Sequence, residues 1–243
     1  MVVIVSRTAV FPKEELFVSL LTERFPQITS IVHNINDTDT PIWMTDKERV
    51  IYGSEHITDI LCGCTFSISA RSFYQINPVQ TARLYSKAIE LAELSGKETV
   101  LDAYSGIGTV GIIAAKRAGY VHCTETNKAA VKDAVRNAGL SGVSNIKFFT
   151  SDSVAFLREA SSRGESYDAV FIDPPRAGCD KSFLSKLMNI APKKIVYISC
   201  NPETLARDLA YMRAGGWRAS VIQPFDMFPH TTPVECVVLL SRA

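Results

Sequence analysis

The sequence predicts a doubly wound α/β sheet preceded by a small α+β domain. From residue 73 onward, short apolar strands alternate with amphipathic helices. Those strands read as continuous Val/Ile/Leu runs, the pattern of parallel strands covered on both faces. Residues 1–72 instead offer short strands broken by glycine and turn clusters. The expected boundaries are therefore 1–72 and 73–243.

In chain order, "MVVIVSRT" reads as a strand, and "PKEELFVSLLTERF" as a helix with apolar residues at Leu16, Leu20 and Leu21 and Pro12 near its start. "ITSIVHNIN" alternates like a strand, "DTDTP" is a turn cluster, and "RVIYGS" and "HITDILCGCTFSIS" supply further strands of an antiparallel sheet. Then come a helix in "QTARLYSKAIELAEL", a strand in "TVLDAYSG" and its helix "TVGIIAAKRA". The strands "YVHCTE", "IKFFTSD", "YDAVFIDPPRAG" and "KIVYISCNP" follow, separated by helices. After the helix "TLARDLAYMRAGG", the segments "WRASVIQPFDMF" and "VECVVLLSR" read as a terminal strand pair.

Composition is that of an ordinary globular protein: 47% hydrophobic, 21% charged, net charge +1. No window reads as a membrane span and no secretion signal is visible, so a cytoplasmic protein is expected. The charge neither supports nor excludes a nucleic-acid substrate. Local basic groups, at Lys116 and Arg117, at Lys128, Lys132 and Arg136, and at Lys193 and Lys194, read as solvated faces. The six cysteines lack ligand or redox spacing, so no metal and no disulfide framework is expected. Cys62, Cys64, Cys123, Cys179 and Cys236 are assigned to packing or structure, and Trp217 to the core.

In a doubly wound sheet, ligands sit at the carboxyl ends of the strands. "VLDAYSGIGTVGI" places Asp102 at a strand end and Gly106 and Gly108 in the turn before a helix, where a cofactor can approach the backbone. The next three strands end in Glu125, Asp152 and Asp173. Helix capping explains such acids singly, and Asp152 reads equally well as a cap. Four in succession on one rim point to a cationic ligand rather than a pyrophosphate. S-adenosylmethionine, with its sulfonium and amino groups, fits, and with it a Rossmann-like methyltransferase domain.

Cys200 ends a core strand on the same rim, before Asn201-Pro202. C5 of uracil is too weak a nucleophile to take a methyl group unaided. A thiolate added at C6 activates it, and a base must then remove the C5 proton. Glu235, in the apolar terminal strand, is the candidate base.

The segments "SFYQIN", "LDAYSGIGT", "DPPRAG", "ISCNPETLARDL" and "DMFPHTTPVE" resemble the RNA 5-methyluridine methyltransferases, which modify tRNA or 23S ribosomal RNA. The resemblance covers the whole α/β part and corresponds to the central and catalytic domains of that family. An N-terminal OB-like domain and cluster-binding cysteines, found in many relatives, are not visible. Ser105 and Pro233 depart from residues common in the family. The resemblance implies Cys200 as nucleophile and Glu235 as proton acceptor. It implies cofactor contacts from Gln75, Tyr104, Glu125, Asp152 and Asp173, joined by Gly106 from the glycine turn. Phe73 and Arg176 fall on the substrate side. The expected partner is RNA, ribosomal RNA favoured over tRNA, bound by a monomer, with lysines and arginines of the small domain supplying part of the surface. The alternatives are a cytosine-C5 or amino methyltransferase, or a non-catalytic RNA-binding relative.

Overall fold

The computed structural model describes residues 1–39 and 44–242, so Thr40 and Pro41 of the expected turn cluster lie outside the described residues. The chain divides into two compact units, one of residues 1–59 with 67–73, the other of 60–66 with 74–243.

In the first unit, β1 (Val2–Ser6), α1 (Glu14–Arg24), β2 (Ser30–Ile35) and β3 (Glu48–Gly53) build a sheet of order β1-β2-β3. The expected antiparallel sheet is corrected to a mixed one: β1 and β2 are parallel, and only β2 and β3 run antiparallel. The reason is α1, a helical crossover that returns the chain in the same direction. As the central strand, β2 is buried from Ser30 to Asn34 on both faces rather than alternately. Helix α1 forms where its spacing predicts, yet none of its residues is buried, and Leu16 and Leu20 are exposed. β4 (His56–Leu61) and β5 (Cys64–Ser69) form a hairpin. Cys62 sits in its turn at φ 50, half-buried, with its sulfur 3.7 Å from the Ala82 carbonyl oxygen and from the Ser86 hydroxyl.

Besides residues 60–66 around the β4–β5 turn, the second unit contains α2 (Pro78–Ala92), whose N-cap Asn77 accepts from the Gln80 amide. Then follow β6 (Thr99–Asp102), α3 (Thr109–Ala115), β7 (Tyr120–Glu125), α4 (Lys128–Leu140), β8 (Ile146–Thr150), α5 (Ser153–Ser162) and β9 (Ala169–Ile172). The chain ends with α6 (Lys181–Ile190), β10 (Lys194–Ser199), α7 (Pro202–Ala214), β11 (Trp217–Phe225) and β12 (Glu235–Arg242). The sheet order is β11-β12-β10-β9-β6-β7-β8, parallel from β10 to β8, with β12 antiparallel to both its neighbours. The strand order reverses beside β6, the place where such sheets open a ligand crevice. Val170, Ile195, Tyr197, Val238 and Trp217 are fully buried in the core on this sheet. Among the described residues no helix is long and apolar enough to cross a membrane, and no group of three or more His, Cys, Asp or Glu is arranged to hold a metal ion.

Candidate active site

Cys200 follows the last residue of β10, and its thiol is half-exposed, whereas Cys64, Cys123, Cys179 and Cys236 are buried. The β10–β12 ladder ends with Ser199 paired to Cys236, so Cys200 and Glu235 are the residues next to that last pair on their two strands. An antiparallel β12 is what allows this, because it brings the start of a strand to the rim where the parallel strands end. On the other side of β10, Tyr197 pairs with Ile172, which brings Asp173 to the same rim.

The electrostatics identify these groups as neighbours. Burial, then Glu235 and Asp102, push the Asp173 carboxyl up to about 8, although part of its surface remains open. Burial raises Glu235 as well, which is only 3% exposed. Burial again, followed by Glu235 and Asp173, raises the Cys200 thiol, and Arg176 opposes that rise. Asp102 is pushed up to about 7 by burial, against the Gly111 amide that donates to it at 2.8 Å. This concentration of carboxylates raising one another's pKa is a deficit of positive charge inside the crevice.

The other expected cofactor residues surround it. Glu125 accepts from the Gly106 amide at 3.1 Å and the Asn127 amide at 2.7 Å. Gly106 has φ 53, and a Cβ there would meet nothing within 4 Å, so the turn is open above its backbone. Asp152 caps α5, accepting from the Val154 and Ala155 amides at 3.0 Å each. Tyr104 packs edge-on against Phe183, centroids 5.2 Å apart, and burial raises its hydroxyl. Gln75 is half-buried and bonds the hydroxyl of Tyr85. Phe73 belongs to the first unit and is 77% exposed. Arg176 is exposed.

Three groups went unread in the sequence. Tyr85 looks like one more apolar position of α2, yet its hydroxyl stands among Asp173, Glu235 and Asp102 and is strongly raised, chiefly by burial. Asn77 Nδ2 donates to the Met227 carbonyl at 3.0 Å, so the segment bearing Gln75 is tied to the loop that leads into Glu235. The third is a row of side chains on α7, which the spacing Asn201, Thr204, Arg207-Asp208 places on one helical face.

The family described as tRNA (Uracil-5-)-methyltransferase matches residues 42–243. An uncharacterized RNA methyltransferase of Bacillus cereus is 45% identical over the whole chain, which covers 53% of that protein. Another, from Caldanaerobacter subterraneus, is also 45% identical, with 54% of its length covered. The chain thus spans about half the length of the curated relatives it matches. Among solved structures, the Pyrococcus abyssi tRNA (uracil-54, C5)-methyltransferase in complex with S-adenosyl-L-homocysteine superposes with a TM-score of 0.80 at 34% identity, covering 98% of this chain and 55% of that one. TYW2 of M. jannaschii in complex with AdoMet has a TM-score of 0.56 at 18% identity, covering 82% of this chain and 92% of that one, a likeness of fold alone.

Proposed function

Because the chain belongs to the tRNA (uracil-5-)-methyltransferase family, we propose that it carries the catalytic site of an S-adenosylmethionine-dependent RNA uracil-C5 methyltransferase. The observation that carries the reading is the half-exposed thiol of Cys200, just past the last β10–β12 pair and close enough to Glu235 and Asp173 to feel their charge.

The cofactor fits the residues present. Asp173 and Glu125 lie where a cation and a ribose are to be held, Gly106 leaves its turn open, and Asp102 stiffens that turn through the Gly111 amide. Asp152 adds a carboxylate near the adenine end while serving as the cap of α5. Tyr104 and Gln75 complete the walls. When bound, S-adenosylmethionine supplies a methyl group on a sulfonium, electrophilic enough for an activated carbon to accept.

The remaining chemistry falls to the chain. The Cys200 thiol gives up its proton to solvent, and the thiolate adds to C6 of the target uracil, moving the C5–C6 π electrons into an enolate and making C5 nucleophilic. Once C5 carries its methyl group, the Glu235 carboxylate takes the C5 proton. The C–H electrons restore the C5–C6 double bond, and the Cys200 thiolate leaves. Burial suits Glu235 to this step, since a raised carboxylate pKa makes it a stronger base. Arg176, the nearby cation that opposes the rise in the thiol's pKa, favours the thiolate and faces the RNA. Phe73, exposed and aromatic on the first unit, offers RNA a stacking face there.

The target is a uridine in 23S ribosomal RNA or in tRNA. The test incubates the protein with labelled S-adenosylmethionine and either RNA, then identifies the labelled nucleoside. The expected product is 5-methyluridine, absent with Cys200→Ala, and RNA containing 5-fluorouridine should be trapped covalently on Cys200. Label on cytosine or on an exocyclic nitrogen, or undiminished label with Cys200→Ala, would overturn the reading.

A further inference from the structure

The segment from Pro174 to Asp180, between β9 and α6, has no regular structure, yet side chains of α7 grip its backbone. Asn201 Nδ2 donates to the Arg176 carbonyl at 3.1 Å, and Thr204 Oγ1 lies 3.2 Å from the same oxygen and from that of Asn201. Arg207 Nη2 donates to the Ala177 carbonyl at 2.9 Å and the Cys179 carbonyl at 3.2 Å. Asp208 Oδ2 accepts from the Cys179 amide and from the Tyr197 hydroxyl, both at 2.8 Å, and Asp208 Oδ1 accepts from Arg207 Nε at 2.9 Å. Gly178 passes under this row at φ 76, where a Cβ would come within 2.6 Å of Arg207 Nη2 and 2.7 Å of Asp208 Oδ2.

The gripping residues start one position after Cys200, and the gripped loop starts one position after Asp173. Two separate strand ends, with the thiol on one and the carboxylate on the other, are thereby locked together by side chain-to-backbone bonds. Asp208 is only 2% exposed and fully engaged, so the lock is seated in the core. We propose that Asn201, Thr204, Arg207 and Asp208 form a positioning clamp that sets the Pro174–Gly178 loop, and with it Arg176, against Cys200 at the point of attack on the base. This rests on the reading of Cys200 as nucleophile. The four are positioning residues: their bonds go to the loop, to one another and, from Asp208, to Tyr197 of β10, and their effect reaches the reaction through the loop.

The test uses Thr204→Val, which keeps shape and loses the hydroxyl, Thr204→Ser, which keeps the hydroxyl, and Arg207→Met, which keeps the stem and loses the fork. Two readouts are taken. One is the single-turnover methylation rate alongside the Kd for S-adenosylmethionine. The other, independent of RNA, is the rate of alkylation of Cys200 by iodoacetamide as a function of pH, read by peptide mass spectrometry against half-exposed Cys62. Loss of one neutral hydrogen bond that holds a reacting geometry should slow turnover about fivefold in Thr204→Val, and Arg207→Met should lose more. The Kd should stay within about twofold, as expected for contacts felt only in the transition state. The Cys200 alkylation profile should move to higher pH in both variants, and Thr204→Ser should restore both readouts. Turnover and alkylation equal to wild type in Thr204→Val and Arg207→Met would overturn the clamp while leaving the proposed reaction intact. A wild-type protein that makes no 5-methyluridine but whose Cys200 alkylation still responds to the variants would overturn the reaction and leave the clamp.

Discussion

Asp173 is a carboxylate that folding disfavours. Its pKa of about 8 in the folded chain, caused first by burial and then by Glu235 and Asp102, stands far above the 3.8 of a free aspartate. Well below pH 4 the group is protonated in both states and has no effect. Between about pH 4 and 8 the unfolded chain has shed a proton that the folded chain keeps, so stability falls as pH rises, and above 8 the penalty is constant. Asp173→Asn should therefore raise the melting temperature by several degrees at pH 8, by less at pH 5 and hardly at all near pH 3, in scanning calorimetry without ligand. The same variant should bind S-adenosylmethionine at least tenfold more weakly, since the deficit of cation that destabilises the empty crevice is what a sulfonium would fill. A melting temperature that gains nothing between pH 5 and 8 would mean that Asp173 ionises freely. At Glu235 the expectation concerns timing. Glu235→Gln keeps the shape but has no base, so methylated RNA should accumulate bound through Cys200, visible as a slow-migrating band in a denaturing gel. Normal turnover without that band would assign proton removal to another group.

At the scale of elements, the rim was legible because its chemistry is written at strand ends, where a run of Val, Ile and Leu stops at an acid or a thiol. Asp102, Glu125, Asp173 and Cys200 were all found this way. Asp152 shows the limit. It lies two residues past β8 and caps α5, and the same sequence pattern serves a cap and a ligand. Asp152→Ala should cost about 1 kcal/mol in urea unfolding without cofactor, and more with cofactor bound. An equal loss in both conditions would leave Asp152 a cap alone. Tyr85 stayed hidden because helical spacing marks it as core, which it is, and spacing does not say what its hydroxyl meets. The direction of β2 was missed because apolar alternation fixes neither a strand's neighbour nor its sense; the crossover through α1 does. Nor does a sequence show which glycine is pressed from above. Gly111 in α3 is such a case: a Cβ would overlap Cys123 Sγ and lie 3.1 Å from Asp102 Oδ2. Gly111→Ala should therefore destabilise by about 1–3 kcal/mol despite alanine's better helix propensity, and should loosen the Asp102 turn.

Across the whole molecule, charge divides unevenly between the two units. The first has six lysines and arginines against nine aspartates and glutamates, the second twenty against sixteen. Within the first unit, Arg7, Lys47, Arg49 and Arg71 are paired with Asp39, Asp37, Glu14 and Glu48. The sequence alone pointed to these cations as part of an RNA surface, but a cation already facing a carboxylate gains little from a phosphate, because its counterion is part of the protein. If the chain binds RNA as proposed, counterion release, the term that makes such binding sensitive to salt, is expected mainly from the second unit. Exposed Arg176, which opposes the rise in the Cys200 thiol's pKa, is the side chain proposed for it. In filter-binding or fluorescence titrations over a salt series, Arg176→Gln should lower the slope of log affinity against log salt by about one, the signature of one lost phosphate contact. Lys47→Gln and Arg49→Gln should leave both slope and affinity within about twofold. If the first unit's variants lower the slope and Arg176→Gln does not, its ion pairs open on contact with RNA, and the phosphate surface lies on the acidic unit after all.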